Sequence, residues 1–389
     1  MAQVTVQDVL REGFAAYRKS HPLPPYVVHA AQRMMKCRTS ALGGHVKSCR
    51  CRHVQRVWYN SCKHRACPQC AFLEVEKWLA RQKERLLACD HYHTIFTVPE
   101  DLNPLWQYNR RLFAQLLFTS VRDTLLELLG DEKYMGGRPG MIMALHTWGS
   151  NLSRHPHIHC LVTGGGLADD GTWKKPRRNC LLPRIPLMIV FRGKFRDALL
   201  QALARGQLRL PPQRRASQVR GLLNKLGRQT WNVKILECYA EGRGVLTYLA
   251  RYLRGGPISN RRLLRYDERG VTFLCKDSRE LDGNDRPTKK PITLTRDEFI
   301  HRLLEHVPPP HMQMVRSYGL YANNQSEALE TARQLLGQRP VAMQPKLLAI
   351  DVLRCFVEPE PEQCPRCHEP VIIREVLQPS RPPPHPQAA

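Results

Sequence analysis

Apolar residues return at every third or fourth position in "VQDVLREGFAAYRKS" and, after the proline-rich break "HPLPPY", in "YVVHAAQRMMK", which predicts two helices near the start. The same period predicts a helix over "AFLEVEKWLARQKERLLA" and a longer one over "LWQYNRRLFAQLLFTSVRDTLLELLG", ending on Gly130. Further helices are expected from about Pro186 and over "GVLTYLARYLRGG", which glycines stop. Between them, "HTIFTVP", "GMIMALHTWG", "HPHIHCLVTGGG", "WNVKILECYA" and "GVTFLCK" carry the β-branched, apolar pattern of strands. The second and third are joined by a short polar turn and read as an antiparallel hairpin. The mixture implies an α+β fold, an antiparallel sheet flanked by helices.

Residues 37 to 70 break this rhythm, with six cysteines and three histidines and little apolar periodicity. The pattern divides the chain into residues 1–88, a small metal-stapled domain with helical flanks; 89–310, the α+β domain; and 311–389, an extension. That extension thins out into a short helix, a proline-rich linker, one CxxC and a proline-rich tail whose composition suits disorder.

The formal charge of +26 changes the picture, because so basic a chain calls for a polyanionic partner, nucleic acid ahead of a membrane surface. No apolar run reaches the length of a membrane span, and "MAQVTVQDVLREGFAAYRKS" lacks the apolar core of a secretion signal. The expectation is a cytoplasmic, nucleoid-associated protein with no membrane role. Fourteen cysteines, mostly in CxC, CxxC and CxxxxC spacings, then point to zinc rather than to disulfides.

In "CRTSALGGHVKSCRCRHVQRVWYNSCKHRACPQC" the candidate ligands are Cys37, His45, Cys49, Cys51, His53, Cys62, His64, Cys67 and Cys70. A CxxC turn presents two thiolates to one tetrahedral ion, so Cys67 and Cys70 lead. Cys62 is next, and either Cys49 or Cys51 would close a structural Zn²⁺ site. A second CxxC, Cys364 and Cys367, has only Cys355 and His368 nearby in sequence. It is either half of a site completed by another segment or a turn with no ion.

"RHPHIHC" places His155, His157 and His159 on alternate positions, hence on one face of a strand. A single H-x-H pair is cheap in a chain this rich in histidine, expected by chance in about every second such sequence, and "HYH" at His91 and His93 illustrates it. If the hairpin pairs as expected, His146 in "MALHTWG" lies beside His157 and His159. His155, just before Pro156, takes a flanking role. Downstream, Tyr248 and Tyr252 stand four apart on a helix and share a face. On that pattern alone they read as core.

With the histidine strand beside them they read otherwise, since the set resembles the HUH endonuclease superfamily, named for its His-hydrophobe-His strand, and within it the rolling-circle transposases of the insertion sequence 91 type. "YNSCKHRACPQC" looks like that family's zinc-binding domain, and "FTVPEDLN", "LHTWGSNLSRHPHIHCLVTGGGL", "FRGKF" and "YLARYLRGGPISNRRLL" look like its successive catalytic motifs. The family usually has CxxC where this chain has Cys49-Arg50-Cys51.

The resemblance implies an HUH-type sheet preceded by the zinc domain, with His157 and His159 as metal ligands and Tyr248 and Tyr252 as nucleophiles. By position His146 is the candidate third ligand. Three imidazoles alone would suit zinc or another transition metal, whereas the resemblance implies Mg²⁺ or Mn²⁺. It also implies single-stranded DNA at element ends as substrate, nicked through 5′-phosphotyrosine intermediates. Arg251 and Arg254, flanking Tyr252, are placed either to contact DNA phosphates or as ordinary solvated charge. A plasmid relaxase or replication initiator would share the histidines and tyrosines without the cysteine block. A non-enzymatic zinc protein would bind DNA without cutting it.

Overall fold

The protein is described by a computed structural model that covers residues 3–53, 55–177, 180–240, 256–281, 287–338 and 363–380. In chain order the elements are α1 (Val6–Ser20), α2 (Pro25–Met35), β1 (Gly44–Ser48), β2 (Gln55–Tyr59), α3 (Phe72–Arg85), β3 (His91–Thr97), α4 (Asn103–Tyr108) and α5 (Arg110–Gly130). Then come β4 (Arg138–Trp148), β5 (Arg154–Leu167), β6 (Trp173–Lys174), α6 (Arg184–Ala204), α7 (Ala216–Leu226), β7 (Val233–Tyr239), β8 (Leu263–Asp267), β9 (Gly270–Leu281) and β10 (Pro287–Leu294). Helix α8 (Arg296–Glu305), β11 (Val315–Gly319), α9 (Ser326–Leu335) and β12 (Ile372–Leu377) complete the set, giving an α+β protein.

The chain divides into two compact units that interleave along the sequence: Met1–Lys77, Arg254–Val307 and Lys346–Ala389 in one, Trp78–Leu253 and Pro308–Pro345 in the other. The sequence, read linearly, had suggested boundaries near 88 and 310. Among the described residues no helix is long and apolar enough to cross a membrane.

The second unit is built on a fully antiparallel sheet of order β11-β4-β5-β3-β7, with β6 added at the end of β5. Period-two alternation sorts its side chains. Phe96, Met141, Met143, Leu145, Ile158, Cys160 and Val162 point to one face and are buried against Phe113, Leu117, Phe118 and Val121 of α5 and Leu187, Phe191, Phe195 and Leu199 of α6. Each such side chain contributes about 1.5–3 kcal/mol of burial, so this layer anchors the sheet.

The glycine run after β5's apolar stretch is steric. A Cβ on Gly165 would sit 2.5 Å from the Trp173 indole nitrogen, and one on Gly166 would sit 2.8 Å from the Arg138 backbone.

The helix predicted from Leu105 to Gly130 is broken at Asn109, whose φ of −131° and ψ of 30° are not helical. Its side chain donates to the carbonyls of Leu105 and Arg209 at 2.9 and 2.8 Å and accepts from the Arg209 amide, which satisfies the interrupted ladder. The fifth expected strand forms, but in a different place. It is β9, which pairs with β8 and β10 in a separate three-stranded sheet of the first unit. One edge of the large sheet comes from β11, within an extension expected to hold a short helix, a proline-rich linker, a CxxC and a tail.

The first unit also contains a sheet of order β12-β1-β2, so the distal CxxC segment returns to the cysteine-rich one. Thr5 and Asp8 form a reciprocal cap at the start of α1, which packs on α2 and α8.

Candidate functional site

Three groups of metal-ligating side chains occur among the described residues. The first comprises Cys37, Cys62, Cys67 and Cys70, all buried, with ligand atoms within 4.8 Å of one another. Cys37 lies just past α2, and its segment is fixed by Gln7 of α1. The Gln7 amide donates to the carbonyls of Met34, Met35 and Cys37 and accepts from Gln69, inside the Cys67–Cys70 turn. Arg33 of α2 donates to the Cys62 carbonyl at 2.7 Å. The helices that precede the cysteines therefore belong to the site.

Within the cluster Cys62 and Cys70 sulfurs are 3.5 Å apart. The shared thiol hydrogen bonds push Cys70 far below the usual thiol range, through Cys37, Cys62 and Cys67 in that order, and push Cys67 far above it. Four buried thiols converging in this way are the ligand set of a closed, structural zinc site.

The grouping differs from the sequence expectation at the fourth ligand. Cys37 stands with Cys62, Cys67 and Cys70, where Cys49 or Cys51 had been expected to close the site. Cys49 lies instead with His53, Cys364 and Cys367 in the second group, and Cys51 is exposed and outside both. The reason is local geometry. Gly44–Ser48 is spent on strand β1, whose hairpin with β2 carries Cys49 and Cys51 off at its turn. Cys37 was among the candidate ligands, but it lies 25 residues before Cys62, so spacing did not group the two.

The third group lies on the large sheet, on the face opposite α5 and α6. His146 of β4 sits directly across from His157 of β5, and His159 is across from Ala144. The ring centroids of His146 are 5.2 Å from His157 and 4.2 Å from His159. The Nε2 atoms of His157 and His159 are 3.0 Å apart. His157 Nδ1–H donates to the His155 carbonyl at 2.5 Å, which leaves its Nε2 as the lone-pair nitrogen. Thus His155 takes part through its backbone and orients the His157 ring.

One participant was dismissed at the sequence level. His93 of β3, half of the cheap "HYH" pattern, places Nε2 2.8 Å from His159 Nδ1. Its neighbour His91 does something different: Nδ1 bonds the Cys89 carbonyl and Nε2 the Tyr321 hydroxyl, each at 2.8 Å, which ties β3 to the segment after β11. Only the pairing of β3 with β5 separates these roles, and that pairing is not visible in spacing.

Burial lowers the pKa of every histidine in this patch. His93 and His157 fall to about 4 and His159 to about 2, the last also repelled by His157, His93 and His155. His146 falls well below the usual imidazole range through burial and then His159, His157 and His93. The imidazoles are therefore neutral near pH 7, with lone pairs available to a metal. Tyr248, Tyr252, Arg251 and Arg254 lie outside the described residues, as does Cys355.

Two family models match the chain, and their spans do not coincide with the two compact units. Residues 140–328 match a family model described as "Putative transposase", and residues 9–98 match one described as "Transposase zinc-binding domain". The first span encloses His146, His157 and His159 as well as Tyr248 and Tyr252, and the second encloses the four-cysteine cluster and His93. Over 382 residues the chain is 35% identical to "Putative transposase y4qJ" of Sinorhizobium fredii (strain NBRC 101917 / NGR234), covering 95% of this chain and 94% of that protein. It is 33% identical over 349 residues to "Transposase for insertion sequence element IS801" of Pseudomonas savastanoi pv. phaseolicola, covering 87% and 81%. No solved structure matches.

Proposed function

Because this chain belongs to the insertion sequence 91 family of transposases, with an N-terminal zinc-binding domain, we propose that it nicks single-stranded DNA at element ends and transfers strands through 5′-phosphotyrosine links. The observation that carries the reading is the convergence of His146, His157 and His159 on one face of adjacent strands, with His93 behind His159. The donor set fits a divalent ion: neutral imidazoles, with two Nε2 atoms 3.0 Å apart, about the span of two bonds of ~2.1 Å meeting near a right angle.

When bound there, Mg²⁺ or Mn²⁺ supplies charge neutralisation at a scissile phosphate oxygen. The chain supplies the rest. The His155 carbonyl fixes the tautomer of His157, and His93 takes the outward nitrogen of His159, so the inward nitrogens stay aligned. Tyr248 or Tyr252 attacks the phosphorus in line. The phenolic O–P bond forms, the P–O3′ bond breaks, the phenol proton is released and the 3′ oxygen takes one up. Two nucleophiles let one chain hold one strand end while cutting another, which suits rolling-circle transfer. The basic surface implied by the net charge holds the DNA, with Arg251 and Arg254 on phosphates.

The test is incubation with single-stranded oligonucleotides carrying element ends plus Mn²⁺ or Mg²⁺, resolved on denaturing gels. A covalent protein–DNA adduct that disappears when both Tyr248→Phe and Tyr252→Phe are introduced is expected. An unchanged nicking pattern in that double variant would sink the proposal.

A further inference from the structure

The distal CxxC, which neither family match reaches, has its missing partners in the structure. Strand β12 pairs antiparallel with β1, Gly44 opposite Leu377 and Ser48 opposite Ile372. This brings the Cys364–Cys367 turn to the Cys49–His53 turn at the far end of β1, and the four ligand atoms lie within 4.8 Å of one another. Cys49 and Cys364 are fully buried although the segments around them are small and polar.

The backbone is arranged as metal-binding turns require. Arg366 N–H donates to the Cys364 sulfur at 3.5 Å, the Cys367 thiol takes a hydrogen bond from the Glu369 backbone, and it contacts the thiols of Cys364 and Cys49. Left-handed backbone tells the same story. Among the described residues seven non-glycine positions have positive φ; of these Arg38, Lys63 and His368 each follow a clustered cysteine directly, and Arg52 directly precedes His53. Each such conformation costs about 1–2 kcal/mol, which is sustained where surrounding interactions over-determine it. Two of these residues flank the first cluster and two flank the second, so both carry the same local signature.

We propose that Cys49, His53, Cys364 and Cys367 bind a second structural zinc ion, clasping the distal segment to the β1–β2 hairpin. Three thiolates and one imidazole, all protein-derived, make a closed tetrahedral set that selects zinc over magnesium or manganese. The ion replaces a disulfide in function: it joins segments about 310 residues apart in sequence and holds β12 on an edge that β1 would otherwise leave open. This site is independent of the histidine cluster and of the nicking reaction.

Zinc content of the full chain tests it, read as metal released when a mercurial titrates the thiolates, so that an ion held by imidazoles stays out of the count. The unaltered chain is expected to release two zinc ions and Cys51→Ser two. Cys364→Ser combined with Cys367→Ser is expected to release one, as is His53→Ala. One ion from the unaltered chain, or two from the Cys364/Cys367 variant, overturns the assignment. Should that variant fail to fold, cobalt substitution of the unaltered chain decides. Sulfur-to-cobalt charge-transfer absorption equivalent to seven thiolates supports two sites, and four overturns the second.

Discussion

The histidine cluster and the four-cysteine cluster solve the same problem, convergence of ligands, by opposite means. The histidines stand on paired strands, where the period of two and the β4–β5 register bring His146, His157 and His159 together with no left-handed residue on either strand. The cysteines stand on turns, where Arg38 and Lys63 hold left-handed conformations and Gln7 and Arg33 reach in from helices to fix the loops. A sheet pre-forms its site without an ion. The loops have no such ladder and depend on side chains reaching in from neighbouring helices.

That contrast orders the expected effects. Cys67→Ser with Cys70→Ser should unfold the first unit. Structural zinc contributes about 10–16 kcal/mol in small domains, more than a whole domain's usual stability. Circular dichroism and zinc release check it, and a folded, zinc-free variant would break the comparison. His157→Ala with His159→Ala should leave the protein folded and reduce oligonucleotide nicking by roughly a thousandfold, the scale of losing a preorganised charge stabiliser. Thermal melting beside gel assays separates the two losses.

His93→Ala should have a smaller effect. Removing the group behind a ligating imidazole costs about 10–100-fold in metal affinity, so nicking should recover as Mn²⁺ is raised. His91→Ala, two residues away, should leave that metal dependence unchanged and lose about 1–3 kcal/mol of stability, because Tyr321 and the Cys89 carbonyl lose a buried partner. The smallest effect is expected for Arg38→Gly, which relieves a left-handed residue and should shift stability by about 1 kcal/mol or less while zinc content stays constant.

How far the sequence could be read follows the same line. Strands β4 and β5 and the pairing of His146 with His157 were legible because periodicity carries position and face together. The cysteine groupings were not, since a turn has no period and Cys49 and Cys51 look equally good beside Cys62. Strand β11 was missed because its "VRSYG" is polar and half-exposed as an edge strand, without the apolar run that marks the interior. Asn109 broke a helix whose apolar pattern ran through it, because its side chain offers the backbone partners that a helix would have supplied. His93 was read as chance for a sound reason: its meaning depends on which strand lies beside it.

The pairing of β1 with β12 also sets a timetable for synthesis. Residue 44 meets residue 377, so the β1–β2 hairpin waits on the ribosome as an incomplete sheet until β12 emerges. The large sheet can close earlier, once residue 319 has been made and β11 caps β4. A chain whose translation stops between those two points would carry a finished histidine sheet and an unclasped hairpin.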